Sequence, residues 1–253
     1  SHRITWSTFA LLILLFVRDR WASLTQALRS YREVRRHLLT GLLLLANWLI
    51  YIWATLNGRI MEASLGYFIT PLFNVLLGSL VLKECTSTRL KCAIGLATLG
   101  VLVQMAPLVG LPWVALGLAG TFGWYGLIKK QSPLGPVTGL ALETALLVPL
   151  AAAYLVWIHG QGTAGISTAS GLDRTTLAMT GLVTSVPLLL FATAARALPL
   201  HTLGLLQYLA PSLQFLIGWL LYQEPLDGLR LASFGLIWLA LAIYAREMTG
   251  RRS

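Results

Sequence analysis

Gly204-Leu-Leu-Gln-Tyr-Leu-Ala-Pro-Ser-Leu-Gln-Phe-Leu-Ile-Gly-Trp-Leu-Leu-Tyr-Gln-Glu-Pro225 is the stretch whose reading decides the fold. It is long and apolar, with Pro211 inside and Glu224 near its end. It also has a twin earlier in the chain. Subtracting 140 (211 − 71) places Pro211 on Pro71, Tyr208 on Phe68, Gln214 on Asn74, Gly218 on Gly78 and Glu224 on Glu84. The register continues past the acid, with Gly235 on Gly95, Leu236 on Leu96 and Leu239 on Leu99. One proline-containing apolar helix is used twice.

The composition says what solvent that helix meets. The chain has 253 residues, 57% hydrophobic and 11% charged, whereas a soluble domain carries about 25% charged residues. Several runs approach the ~20 apolar residues that cross a bilayer. The class is all-α: a polytopic membrane helix bundle whose partner is lipid. The net charge of +10 does not point to nucleic acid, because the basic residues lie in short loops and form no stripe with interleaved aromatics. Cys85 and Cys92 have no nearby His or Cys and make neither a metal site nor a disulfide framework.

Nine apolar runs are expected to be spans: Ile4–Val17, Leu38–Leu56, Ala63–Leu82, Leu90–Met105, Leu111–Ile128, Val137–Ile158, Thr176–Leu198, Pro199–Tyr222 and Leu229–Tyr244. Residues 18–37 form the longest polar connection, and 159–175 form a Gly/Thr/Ser-rich loop. Pro107 ends the fourth run. The loops after odd-numbered spans hold Arg18, Arg20, Arg29, Arg32, Arg35, Arg36, Lys83, Arg89, Lys91, Lys129, Lys130, Arg196, Arg246, Arg251 and Arg252. The other side holds only Arg3, Arg59, Arg174 and Arg230, completing the 19 basic residues. The positive-inside rule then puts the C-terminus in the cytoplasm. A short first run with its start outside suggests one earlier helix, hence ten spans at full length.

The twin helices are spans three and eight. Five spans separate them, so they cross in opposite directions. This is an inverted repeat of five plus five helices, divided here as 1–106 and 107–253. Repeats of this kind build transporters, with the site expected near mid-membrane where the halves meet. Pro71 and Pro211 each remove a backbone hydrogen bond and are the hinge candidates.

The segments that carry a family resemblance are Glu62-Ala-Ser-Leu-Gly-Tyr-Phe-Ile-Thr-Pro-Leu-Phe-Asn-Val-Leu-Leu-Gly, Asn47-Trp-Leu-Ile-Tyr-Ile-Trp-Ala, Leu205-Leu-Gln-Tyr-Leu-Ala-Pro-Ser-Leu-Gln-Phe and Gly139-Leu-Ala-Leu-Glu-Thr. Together they resemble the RarD family, in the EamA branch of the drug/metabolite transporter superfamily. The resemblance runs along essentially the whole chain. It implies ten helices in two halves, the bacterial inner membrane, and the family label of chloramphenicol-sensitive or chloramphenicol-resistance permease. The chain departs from the family pattern by lacking the first helix.

Glu143 is the sharpest candidate for chemistry, since an acid inside a span must face protein or water. It is read either as a proton or substrate-amine site or as half of an ion pair. The repeat offers Arg3 as its equivalent (143 − 140). Glu62, close after Arg59, is read as a helix-end charge or a gate contact. Asn47, Trp48, Tyr51, Trp53, Tyr67, Asn74, Trp124, Tyr125, Tyr208 and Gln214 supply the flat apolar walls and few hydrogen-bonding groups that a solute path needs. Interhelical hydrogen bonding is an equal reading for Asn47, Asn74 and Gln214. Gly66, Gly78, Gly95, Gly100, Gly218 and Gly235 are expected to allow close helix packing. Lys129 and Lys130 read as topology signals, or as attraction for anions. The four histidines are scattered near loops. No catalytic, metal or cofactor motif is present. The reading is a secondary transporter of small organic solutes, with proton coupling an option; a lipid-modifying membrane enzyme and a passive channel are the alternatives.

Overall fold

In hydrocarbon an apolar run can satisfy its own backbone only by coiling into a helix, and each of the nine runs does so. The computed structural model describes residues 2–18, 20–106, 110–161, 171–223 and 228–250. Among them lie eleven helices: α1 His2–Val17, α2 Trp21–Arg29, α3 Tyr31–Leu56, α4 Ile60–Leu80, α5 Thr88–Met105, α6 Trp113–Gln131, α7 Pro136–Gly160, α8 Gly171–Ala197, α9 Leu200–Gln207, α10 Leu209–Leu220 and α11 Gly228–Gly250. Seven stretches are long and apolar enough to cross a membrane, counting Leu200–Leu220 as one, and α1 is a shorter apolar helix. The protein is a multi-pass membrane protein. Pro107, Glu224, Pro225 and residues 162–170 of the polar loop lie outside the described residues.

Two differences from expectation have physical causes. The polar connection 18–37 is mostly helical, comprising α2 and the first turns of α3. Its arginines are good helix formers, and Leu24 and Ala27 give α2 a buried face. The eighth run is two helices that break at Tyr208, whereas α4 is continuous through Pro71. Pro211 cannot donate to the Gln207 carbonyl. The backbone tightens there, with the Tyr208 N–H bonding to the Leu205 carbonyl at 3.1 Å, an i to i−3 turn.

The helices sort into two compact units, Ser1–Leu43 with Ile128–Ala197, and Leu44–Leu127 with Leu198–Ser253. Each unit draws on both halves of the repeat. In the first, Leu11, Leu15, Leu24 and Ala27 pack with Leu140, Ala141 and Leu142. In the second, Leu65, Phe68, Ala93, Ala97, Leu205, Tyr208, Phe234, Ile237 and Ala240 share one core.

The repeat is written into the contacts. A Cβ on Gly181 would meet the Ser7 backbone, and one on Gly41 would meet Leu147; these are equivalent pairs, since 41 + 140 = 181 and 7 + 140 = 147. Tyr208 Oη donates to the Phe68 carbonyl at 3.0 Å, joining two positions that are each other's twins. Lys83 and Gln223, also twins, are the non-glycine residues with positive φ among those described, at 51° and 52°. After α4 that bend lets the Glu84 N–H reach the Gly78 carbonyl at 3.0 Å, which satisfies one of the carbonyls left free at the helix end.

Close packing holds at some of the glycines and not at others. Ser233 Oγ donates to the Gly100 carbonyl at 2.7 Å, and a Cβ on Gly100 would lie 2.9 Å from the Ser233 carbonyl. Gly66 and Gly78 are similarly crowded, by Leu118 and by Glu84 with Leu200. Gly95 and Gly235 face open space within 4 Å, so they are not close-approach positions.

Candidate functional site

Glu143 sits seven residues into α7 and is buried, with 1% of its surface exposed. Its Oε1 accepts three hydrogen bonds: from Thr40 Oγ1 at 2.7 Å, from Lys129 Nζ at 2.9 Å, and from His37 Nδ1 at 2.9 Å. Lys129 and His37 are themselves buried. On its other side His37 Nε2 lies 3.0 Å from Ser132 Oγ and 3.8 Å from Glu33 Oε2. Glu33 Oε1 accepts from Arg36 at 3.0 Å. Glu143 Oε2 and Glu33 Oε2 are buried and have no hydrogen-bond partner.

Local structure explains this convergence. The link from α6 to α7 is only residues 132–135, so Lys129 in the last turn of α6 folds back over the first turns of α7. Ser132 closes α6, its N–H bonding to the Lys129 carbonyl at 3.3 Å. Gly139 is one turn before Glu143 on the same face. A Cβ there would lie 3.0 Å from His37 Cε1 and 3.1 Å from Lys129 Nζ, so the missing side chain makes room for both. Glu33 and His37 are one turn apart on α3. A buried ion pair is stable only when good geometry and added hydrogen bonds offset desolvation; here Thr40 and His37 supply them to Oε1 alone.

The hydrogen-bonded cation of Glu143 is thus Lys129. Arg3, its repeat equivalent, is exposed on α1. Lys129, which the sequence offers as a topology signal, is a buried member of the network, and His37 is far from a stray loop histidine. His201 also has an acidic partner. Glu84 Oε2 accepts from the His201 backbone N–H at 3.1 Å and pairs with its Nδ1 at 2.8 Å, while Oε1 accepts from the Leu200 N–H at 2.7 Å. Glu84 therefore caps α9, whose positive end favours an acid. The missing Cβ of Gly78 leaves space for that carboxylate.

The other candidates belong to the second unit. Asn47 Nδ2 donates to the Leu118 carbonyl and to Thr121 Oγ1, at 3.0 and 2.9 Å, which ties α3 to α6. Tyr51 and Tyr67 are exposed and stack edge to face, 6.2 Å between ring centroids. Buried Asn74 donates to Gln207 Oε1 at 2.6 Å, and its Oδ1 has no hydrogen-bond partner. Trp124 is exposed, Tyr125 is buried beside Phe122, and Gln214 is exposed. Pro71 and Pro211 are buried, and a Cβ on Gly204 would meet the Pro71 carbonyl at 2.5 Å. Glu62 Oε1 accepts from Arg59 Nε at 2.8 Å, and that guanidinium lies 5.2 Å from the Trp113 ring centroid. Sequence reasoning missed Gln207, Thr40, Ser132 and Glu33.

A helical membrane bundle with an inverted repeat and a charged network buried in its helices belongs to the class of membrane transport folds. The EamA-like transporter family model matches residues 1–106. The chain is 45% identical over 247 residues to an uncharacterized transporter of Pseudomonas aeruginosa, covering 96% of this chain and 82% of that protein. It is 38% identical over 247 residues to the protein RarD of Escherichia coli, covering 98% of this chain and 83% of that one. A crystal structure at 18% identity superimposes with a TM-score of 0.69, covering 100% of this chain and 88% of the other, and it shares the fold. The chain belongs to the RarD group of the EamA-like transporter family.

Proposed function

We propose that this protein is a secondary transporter that moves small organic solutes across the bacterial inner membrane by alternating access. The observation that carries the reading is the contact of twin residues: Tyr208 donates to the Phe68 carbonyl between two oppositely running, proline-containing helices. A pair joined at equivalent points can exchange conformations end for end, and each exchange opens the opposite side. The positive-inside count favours a cytoplasmic C-terminus. Candidate groups along the path are Asn47, Tyr51, Tyr67, Asn74, Trp124, Tyr125, Tyr208 and Gln214, with Arg3 and Glu143 as its charged members and Pro71 and Pro211 as hinges. The two sequence halves, 1–106 and 107–253, are the repeats that exchange conformations.

Counterflow in proteoliposomes tests this reading, with chloramphenicol as the first labelled solute and a panel of amphipathic amines and acids after it. Saturable exchange stimulated by unlabelled solute inside is the expected result. Flux that rises linearly with concentration identifies a channel, and a chemically altered lipid with no flux identifies an enzyme.

A further inference from the structure

The buried network around Glu143 is unevenly loaded, and the imbalance has a direction. Three donors crowd Oε1 while Oε2 receives none. An ionised carboxylate accepts only, so His37 Nδ1 carries the hydrogen that it shares with Oε1. In neutral His37 the bare nitrogen is then Nε2, and the Ser132 hydroxyl can donate to it. Ser132 Oγ already accepts the Leu134 N–H at 3.2 Å, which leaves its own hydrogen for that purpose. A second acid also approaches this nitrogen: Glu33 Oε2, 3.8 Å from Nε2, buried, and without a hydrogen-bond partner. The imidazole therefore has one carboxylate toward each nitrogen, although it needs only one when neutral.

Arg36 holds the other oxygen of Glu33, and Lys129 holds Glu143. Arg196, from α8, donates to the Ser132 and Leu134 carbonyls, and Lys130 reaches the Ala195 carbonyl at 3.4 Å. From α1 and α2, Leu11, Leu15, Leu24 and Ala27 pack against Leu140, Ala141 and Leu142 of α7.

We infer that His37 is a proton-binding residue, charged between Glu33 and Glu143, and that its proton loosens the hold of Lys129 on Glu143. The proton passes to Nε2 from a protonated Glu33 carboxyl, whose Oε2 lies 3.8 Å away. Glu33 is left as a carboxylate facing the new N–H. Nδ1 keeps its hydrogen bond to Oε1. The network gains one proton and one positive charge, and release runs the same steps backward. Imidazolium and ammonium then share one oxygen, and their repulsion weakens the Lys129 contact. That contact joins the end of α6 to α7, so proton binding changes how two helices are fastened. The use of this proton to drive solute movement rests on the transport reading; the binding of the proton does not.

The test is histidine-selective 15N NMR of the full chain in lipid bilayers, from about pH 9 to about pH 5. One histidine signal, absent in His37→Gln, is expected to convert from a neutral Nδ1–H form to imidazolium. In Glu143→Gln the ratio of imidazolium to neutral form at a given pH is expected to fall about tenfold, and in Glu33→Gln by less. If His37→Gln does not fold, the response to the two acid variants assigns the signal. A His37 signal that stays in one form across the range, or one that ignores Glu143→Gln, overturns the proposal. No solute is present in this experiment. An invariant His37 leaves the transport reading standing, and a failed counterflow assay leaves the titration standing.

Discussion

Glu143 and Lys129 depend on each other because neither has water to fall back on. Replacing Lys129 by Met leaves a carboxylate buried with His37 and Thr40 as its hydrogen-bonding partners, and breaking a buried pair in this way costs about 3–5 kcal/mol. Replacing both, as Lys129→Met with Glu143→Leu, removes the charge with its partner and should restore most of that loss. Urea or SDS unfolding of the two variants in matched micelles measures the difference; equal loss in both would mean the pair contributes nothing as a pair. Gly139→Ala is a finer probe. Its methyl would lie 3.0 Å from His37 Cε1, so His37 must shift by a few tenths of an ångström, and a cost of about 1–3 kcal/mol is expected. Glu143→Gln should also abolish gradient-driven solute accumulation while normal amounts of protein reach the membrane. Full accumulation by that variant would remove Glu143 from the transport cycle.

At the scale of the helices, α4 and α9 are held by what their residues lack. Gly204 places its backbone on the Pro71 carbonyl, and Gly78 leaves room for Glu84. Gly204→Val should separate the two helices and lower the midpoint of heat-induced aggregation, while Gly95→Val, in open space, should not. Comparable losses in the two variants would reject close approach as the cause. The helices were legible in the sequence because in lipid a run of apolar residues has one backbone solution. The repeat was legible because Pro71 and Pro211 share a register with their flanking residues. The different fates of those prolines were not legible: α4 runs through one and the other breaks at Tyr208. The residues before the prolines differ, Phe68-Ile-Thr70 against Tyr208-Leu-Ala210, and the Tyr208 hydroxyl reaches across to the Phe68 carbonyl. Glu143 could be picked out alone, since an acid in a span must be solvated by something. Its partners could not, because His37 is 106 residues away and tertiary packing alone brings it close. The one available signal was the short 132–135 link, which obliges Lys129 to return toward the start of α7.

For the whole molecule the inverted repeat makes a geometric demand. Contacts between twins, such as Phe68 with Tyr208, map onto themselves when the halves exchange. Contacts between non-twins do not. A Cβ on Gly78 would lie 3.2 Å from Leu200 Cβ; its mirror pair is Ile60 with Gly218, since 200 − 140 = 60 and 78 + 140 = 218. Alternating access requires these pairs to close in turn, one at each end of the same helix pair. Cysteines can report this once the exposed native Cys85 and Cys92 are replaced by Ser. In Gly78→Cys/Leu200→Cys and Ile60→Cys/Gly218→Cys proteins, disulfide yield is measured in membranes with and without the counterflow solute. Solute should lower the yield of one pair and raise that of the other, while a Phe68→Cys/Tyr208→Cys pair stays constant. Locking either off-axis pair should stop exchange, and reduction should restore it. Yields at both ends that rise together, or never change, would mean the two halves do not trade conformations, and the twin helices would then be a scaffold rather than a gate.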